Sequence, residues 1–175
     1  SAASSVPRFA LSSGRCSRMS SSSRTIRENI TLKNDAFSND DINKAADYVG
    51  LDHVLKKLPE GLDHIVRERG NNFSSGERQL ISFARAVTYK PTVMTLDEAT
   101  ANIDSETEAV IQASLAKMMN ISTMIIVAHR LSTIQHCNKI LVMQKGEIVE
   151  SGNHQQLLKK KGLYFNLYQL QYEHQ

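Results

Sequence analysis

No stretch of this 175-residue chain stays apolar for the roughly 18 consecutive residues that a membrane-spanning helix needs, so any membrane contact runs through a partner or a further segment. Cysteine is nearly missing. Cys16 and Cys137 stand far apart and form no metal-type spacing, which excludes a disulfide scaffold and points to reduced thiols in a cytosolic setting. Of the six histidines, His53, His64, His136, His154 and His174 show no ligand spacing either and read as structural. Lysine is absent before Lys33, and Gly14 is the only glycine before Gly50. A phosphate-binding loop of the form G-x-x-x-x-G-K-S/T therefore cannot be written anywhere near the start.

The composition that remains is ordinary for a globular protein, 41% apolar and 22% charged, in a length that suits one domain with a real core. The formal net charge of +3 hints at nucleic acid, but Arg8, Arg15, Arg18 and Arg24 put +4 into the first 24 residues, which hold no acid. That leaves the rest at −1, a poor electrostatic footprint for DNA or RNA. Residues 1–24 are serine- and arginine-rich with little apolar periodicity and read as a disordered tail. The same composition fits an organellar transit peptide, and the start at Ser1 without Met equally fits a truncated or spliced chain.

From Thr25 the texture changes, and residues 25–90 read as a mostly helical subdomain. TIRENITL opens a short helix. DINKAADYVG carries apolar residues at Ile42, Ala45, Ala46 and Val49, with Asp40 or Asp41 as its cap and Gly50 as its stop, and LDHVLKKL follows as a second short helix. Ser74 or Ser75 caps a helix to about Tyr89, with Leu80, Ile81, Ala84 and Val87 as its buried stripe. Residues 91–175 then read as strand 93–96, helix 105–119, strand 123–128, a short helix, strand 140–144, a Lys145-Gly146 turn, the segment 147–150 and a final helix spanning about 154–172. Continuous apolar strands separated by helices predict a parallel α/β sheet covered on both faces, with functional groups at the C-terminal strand ends.

The chain is organised around residues 73–104, FSSGERQLISFARAVTYKPTVMTLDEATANID. Ser74-Ser75-Gly76 opens a helix, which gathers backbone N–H groups and a hydroxyl, an anion site in principle; the ordinary reading is an N-cap. Asp97 and Glu98 end an apolar strand, where one acid can hold magnesium and the other can position or deprotonate a water; the ordinary reading is a pair of solvated acids. His129 follows the strand Ile125-Ile-Val-Ala128 and can bond a terminal phosphate or a carboxylate, although a lone histidine there is usually structural.

Taken in order, these pieces resemble the nucleotide-binding domain of an ABC (ATP-binding cassette) transporter. FSSGERQ resembles the family signature, VMTLDE the Walker B strand with its glutamate, TANID the D-loop, and IIVAHRLST the switch-histidine loop. TIRENI is similar to the segment after the Q-loop, and VRERG to the loop that touches the coupling helices of an exporter's membrane domain. The ending ESGNHQQLLKKKGLYFNLYQLQ is similar to bacterial multidrug or lipid half-transporters. The resemblance implies a P-loop NTPase-like α/β fold with a helical subdomain, here lacking the first strand and the Walker A loop. It implies ATP and Mg2+ as ligands, with Asp97 on the metal, Glu98 as the base for the attacking water and His129 sensing the γ-phosphate. Ser74, Ser75, Gly76 and Glu77 would meet a nucleotide held by a second such domain in a head-to-tail dimer, and Asp104 would communicate across it. The partners implied are that second domain and a transmembrane domain, with no nucleic acid, at the cytoplasmic face of the plasma or inner membrane in the parent transporter.

Departures from the family pattern frame the alternatives. The Walker A loop is missing, and so is the Q-loop glutamine, because Gln79 is the first glutamine. Without the lysine and backbone nest that hold the β- and γ-phosphates, the chain alone is expected neither to bind ATP tightly nor to turn it over. An absent first strand is also expected to leave a sheet edge and apolar surface open. The alternative function is a non-catalytic module whose signature completes the ATP site of an intact partner. A soluble DNA-repair ATPase shares the signature logic but fits the near-neutral body and the exporter-like ending less well.

Overall fold

The computed structural model describes residues 8–12, 24–97, 103, 105–128 and 131–172, arranged in two compact units, Ser1–Val127 and Ala128–Gln175. The first unit runs β1 (Arg8–Ser12), β2 (Arg24–Thr25), α1 (Ile26–Thr31), α2 (Asn39–Tyr48), α3 (Asp52–Leu55), β3 (Ile65–Val66), α4 (Ser75–Tyr89), β4 (Val93–Asp97), α5 (Ser105–Met118) and β5 (Thr123–Val127). Single 3-10 turns at Gly61–Asp63 and Glu68–Gly70 flank β3. The second unit runs α6 (Leu131–Ile134), β6 (Ile140–Gln144), β7 (Glu147–Gly152), α7 (His154–Lys160) and α8 (Leu163–Tyr172).

Local sequence starts the helices. Thr25/Glu28, Ser38/Asp41, Ser74/Glu77 and Asn153/Gln156 all form reciprocal capping boxes, in which the cap side chain accepts from the third helical N–H and the acid or amide three residues on reaches back. For α2 this corrects the expected cap: Ser38 does the capping, and Asp41 serves as the box partner rather than the cap. Tertiary contacts then hold what propensity alone cannot. The six-residue α1 is too short to persist by itself. Its C-terminal end is satisfied from α4, where Arg85 donates from Nε to the Asn29 carbonyl at 2.6 Å and the Tyr89 hydroxyl donates to the Thr31 carbonyl at 2.6 Å. Ile26 and Ile30 of α1, Ile42 and Ala46 of α2, and Leu80, Phe83 and Ala84 of α4 are buried in one core with Met94, Leu96, Ile111, Leu115 and Met118. Burying each large side chain contributes about 1.5–3 kcal/mol.

The sheet of this unit has the order β1-β4-β5, all parallel, with Asp97 opposite Ser12 on one side and Val127 on the other. Part of the stretch expected to be a disordered tail, residues 8–12, is thus a strand. The physical reason is the edge of β4, whose free N–H and C=O groups pair with an extended Arg-Phe-Ala-Leu-Ser segment. The edge of β4 is thereby closed, and the open edges among the described strands are those of β1 and β5, the two terminal strands of the sheet. This strand is not followed by a phosphate loop, because residues 13–23 contain one glycine and no lysine.

Three other expectations are corrected. Among the described residues of the first unit, the sheet packs by one face: Met94 and Leu96 are buried and Met124 and Ile126 pack against the core, whereas Ile125 and Val127 on the opposite face are 56% and 57% exposed. The strand at Ile140–Gln144 does not extend a parallel sheet; it pairs antiparallel with β7 across the Lys145-Gly146 turn, with a register irregularity at Val142/Met143. The final helix is two helices. Lys161 adopts a left-handed conformation (φ 52°), and Glu150 of β7 caps α8 by accepting from the N–H groups of Leu163 at 2.7 Å and Tyr164 at 3.1 Å. A Cβ on Gly162 would fall 1.8 Å from a Glu150 carboxylate oxygen, so a side chain there would push that carboxylate off its cap.

Candidate functional site

Ser74 stands exposed at the N-cap of α4, the longest helix described, at fifteen residues. Its backbone N–H donates to the Glu77 carboxylate at 2.8 Å, and its hydroxyl oxygen accepts from the Glu77 N–H at 3.2 Å. The cap reading and the ligand reading are compatible, because a hydroxyl that accepts one bond keeps its own proton to donate. Glu77 is half-buried and carries negative charge at the positive end of the helix, where charge and dipole agree. Its carboxylate is committed to the Ser74 N–H, which restrains it from swinging outward. Ser75 is half-buried at the first helical position, and Gly76 is buried.

The segment before the helix is wired to it. Arg78 of the second turn donates from Nη1 to the carbonyls of Gly70 (3.2 Å) and Phe73 (2.5 Å), and Gly70, at φ +67°, leaves room for the Arg78 stem. Asn72 braces the VRERG loop, accepting from the Arg67 N–H at 3.0 Å and donating to the Ile65 carbonyl at 2.9 Å. The rings of Phe73 and His64 meet edge to face at 5.9 Å, and His64 Nδ1 lies 2.9 Å from the Glu60 carboxylate. Glu60, His64, Ile65, Arg67 and Asn72 line an open depression of about 400 Å³ beside this loop. Nearby, Arg27 of α1 bonds Asp63 at 2.8 Å and holds that carboxyl below its usual range. In the second unit, burial pushes the Cys137 thiol up, which makes it a poor nucleophile.

Asp97 ends β4, exposed, at the C-terminal side of a parallel sheet, which is where ligands gather in open α/β folds. Among the described residues no group of three or more His, Cys, Asp or Glu could hold a metal by itself. The expected base Glu98, the γ-phosphate sensor His129 and the D-loop Asp104 lie outside the described residues. The start of α4 and the start of α5 do come together, because Gly76 lies against Thr107 and Ile103. Asp97 ends the strand that precedes that same α5 in the chain.

Some contributors were not named by sequence reasoning. Arg78 and Asn72 act through nearby backbone carbonyls and Arg85 and Tyr89 through carbonyls far along the chain, and a carbonyl partner leaves no trace in the sequence. The packing role of Gly76 did have a signal: glycine inside a helix costs about 0.5–1 kcal/mol relative to alanine, so it needs a reason.

Comparison with known proteins bears on this arrangement. The family model described as "ABC transporter" matches residues 10–101, about half of the chain. The "Probable multidrug resistance ABC transporter ATP-binding/permease protein YheH" of Bacillus subtilis is 50% identical over 149 residues, which are 85% of this chain and 22% of that protein. The "ATP-dependent lipid A-core flippase" of Legionella pneumophila is 45% identical over 157 residues, 83% of this chain and 27% of that protein. Among solved structures, a bacterial Atm1-family ABC exporter with ATP bound superposes with a TM-score of 0.78 at 33% identity, covering 93% of this chain and 28% of the exporter chain. The chain spans about a quarter of the length of the curated relatives it matches, and no helix among its described residues is long and apolar enough to cross a membrane. With a signature-type helix start, an acid-tipped parallel strand and these matches, the chain belongs to the ABC transporter ATP-binding family, as a partial domain of the exporter type.

Proposed function

We propose that this chain is the signature- and carboxylate-bearing part of an ATP-binding domain that powers an exporter at the cytoplasmic face of a membrane. The observation that carries the reading is the exposed Ser74 at the start of α4, locked by its capping box and by the bonds of Arg78, Arg85 and Tyr89. Such a helix start presents a hydroxyl donor and a positive dipole end to a phosphate. Ser74, Ser75, Gly76 and Glu77 would face a nucleotide held by a second ATP-binding domain in a head-to-tail pair. Asp97 would hold Mg2+, which when bound neutralises charge on the phosphate oxygens. Glu98 would take the proton of the attacking water, His129 would bond the terminal phosphate, and Asp104 would report across the pair. The depression beside Arg67 and Asn72 would receive a helix of the membrane domain.

A second reading, a module that lends only its signature, is favoured by the lack of any G-x-x-x-x-G-K-S/T loop in these 175 residues. One mixing experiment tests both. The chain is added to an intact ATP-binding domain of a relative, at a concentration where that domain hydrolyses ATP slowly. A saturable gain in hydrolysis is expected, and no gain at any ratio would sink the docking shared by both readings. Glu98→Gln then separates them: an unchanged gain favours the signature-lending module, and a loss of about a hundredfold favours a working carboxylate.

A further inference from the structure

Gly76 is the second residue of α4, and its backbone is ordinary helix, without the positive φ that marks Gly50, Gly61, Gly70 and Gly146. Conformational freedom therefore does not explain it, and a glycine there only weakens the helix. Space explains it. A Cβ at this position would lie 2.3 Å from the γ-methyl of Thr107 and 3.1 Å from a methyl of Ile103. A separation of 2.3 Å is far inside van der Waals contact, and turning the Thr107 side chain gives little relief, because its own Cβ lies 3.3 Å from the same point. Gly76 and Thr107 are buried and half-buried, and each sits in the first turn of its own helix.

We propose that Gly76 is a positioning residue: its bare backbone seats the start of α4 on Ile103 and Thr107, so that the Ser74 helix start and the entry to α5 move as one body. Since Ile103 and Thr107 lie at the start of α5, which follows β4 in the chain, any displacement of Ser74 by a ligand is passed to the entry of α5. The inference concerns the helix start invoked in the proposed function and rests on that reading for its catalytic readout, but the seat itself is testable without it.

The test uses the whole chain. Amide hydrogen exchange is measured for residues 75–79 and 105–110 in the wild type, in Gly76→Ala, and in Gly76→Ala combined with Thr107→Ser, which removes only the methyl that the new Cβ would strike. The single variant is expected to speed exchange about tenfold in both segments together, and the double variant to return both to within about twofold of wild type. In the mixing assay, Gly76→Ala should lower kcat with KM for ATP nearly unchanged, and Thr107→Ser should restore it. If Gly76→Ala folds poorly, Ile103→Ala with Thr107→Ser removes the seat from the other side and should speed exchange at 75–79 with the signature residues intact. Faster exchange confined to 75–79 in Gly76→Ala, or a defect that Thr107→Ser leaves in place, would overturn the proposal and assign Gly76 to ligand approach instead. If exchange is coupled and rescued as expected while the mixture shows no hydrolysis, the seat stands and the docking reading fails.

Discussion

The helical part of the first unit and its sheet solve the same burial problem to different degrees. In the helical part, α1 is capped at one end by Thr25 and Glu28 and stapled at the other by Arg85 and Tyr89, and its isoleucines are buried. In the sheet, one face packs on α4 and α5, while Ile125 and Val127 stay more than half exposed on the other. The difference teaches where rigidity is placed: the platform behind Ser74 is overdetermined, and the strands that carry the acids are held from one side.

Substitutions in the two regions can break or sharpen that contrast. The largest effect is expected from Phe83→Ala, which empties the centre of the core that α1, α2, α4 and β4 share. It should lower unfolding free energy by about 3–5 kcal/mol in urea titrations followed by circular dichroism, and a loss under 1 kcal/mol would mean that the platform is not the stable part. Ser74→Ala should cost about 1 kcal/mol by removing the cap, whereas Ser74→Gly should cost only a few tenths. An equal loss in both would show that the hydroxyl does more than cap the helix. The smallest effect on stability belongs to Ile125→Ser, expected within about 0.5 kcal/mol because the side chain is mostly in solvent. The same variant should reduce self-association in sedimentation at rising concentration. A large destabilisation would show instead that this face is covered in solution.

Much of the site was legible because its determinants are local. A serine three residues before a glutamate, ahead of an amphipathic stripe, states a helix start, and α4 begins there. An apolar run ending in Asp97 states a strand, and β4 ends there. What escaped was set by distant partners. Strand β1 exists because β4 has a free edge, and nothing within Arg-Phe-Ala-Leu-Ser distinguishes it from a loop. The one-sided covering of β5 was hidden because Met124-Ile-Ile-Val127 reads as apolar throughout, and a run without alternation implies burial on both faces. The antiparallel pairing of β6 was in principle readable from Lys145-Gly146, a tight turn too short for the crossover that a parallel neighbour requires. The break before α8 depends on Glu150, a residue of another element.

That glutamate also bears on how the chain can be divided. The instruction to begin the last helix is written in the preceding hairpin, so residues 163–172 are not a portable cassette. A ten-residue helix is marginal in water without its cap, and moving α8 between relatives means moving the β7 carboxylate and the glycine that makes room for it as well. The C-terminal elements are inherited as a set.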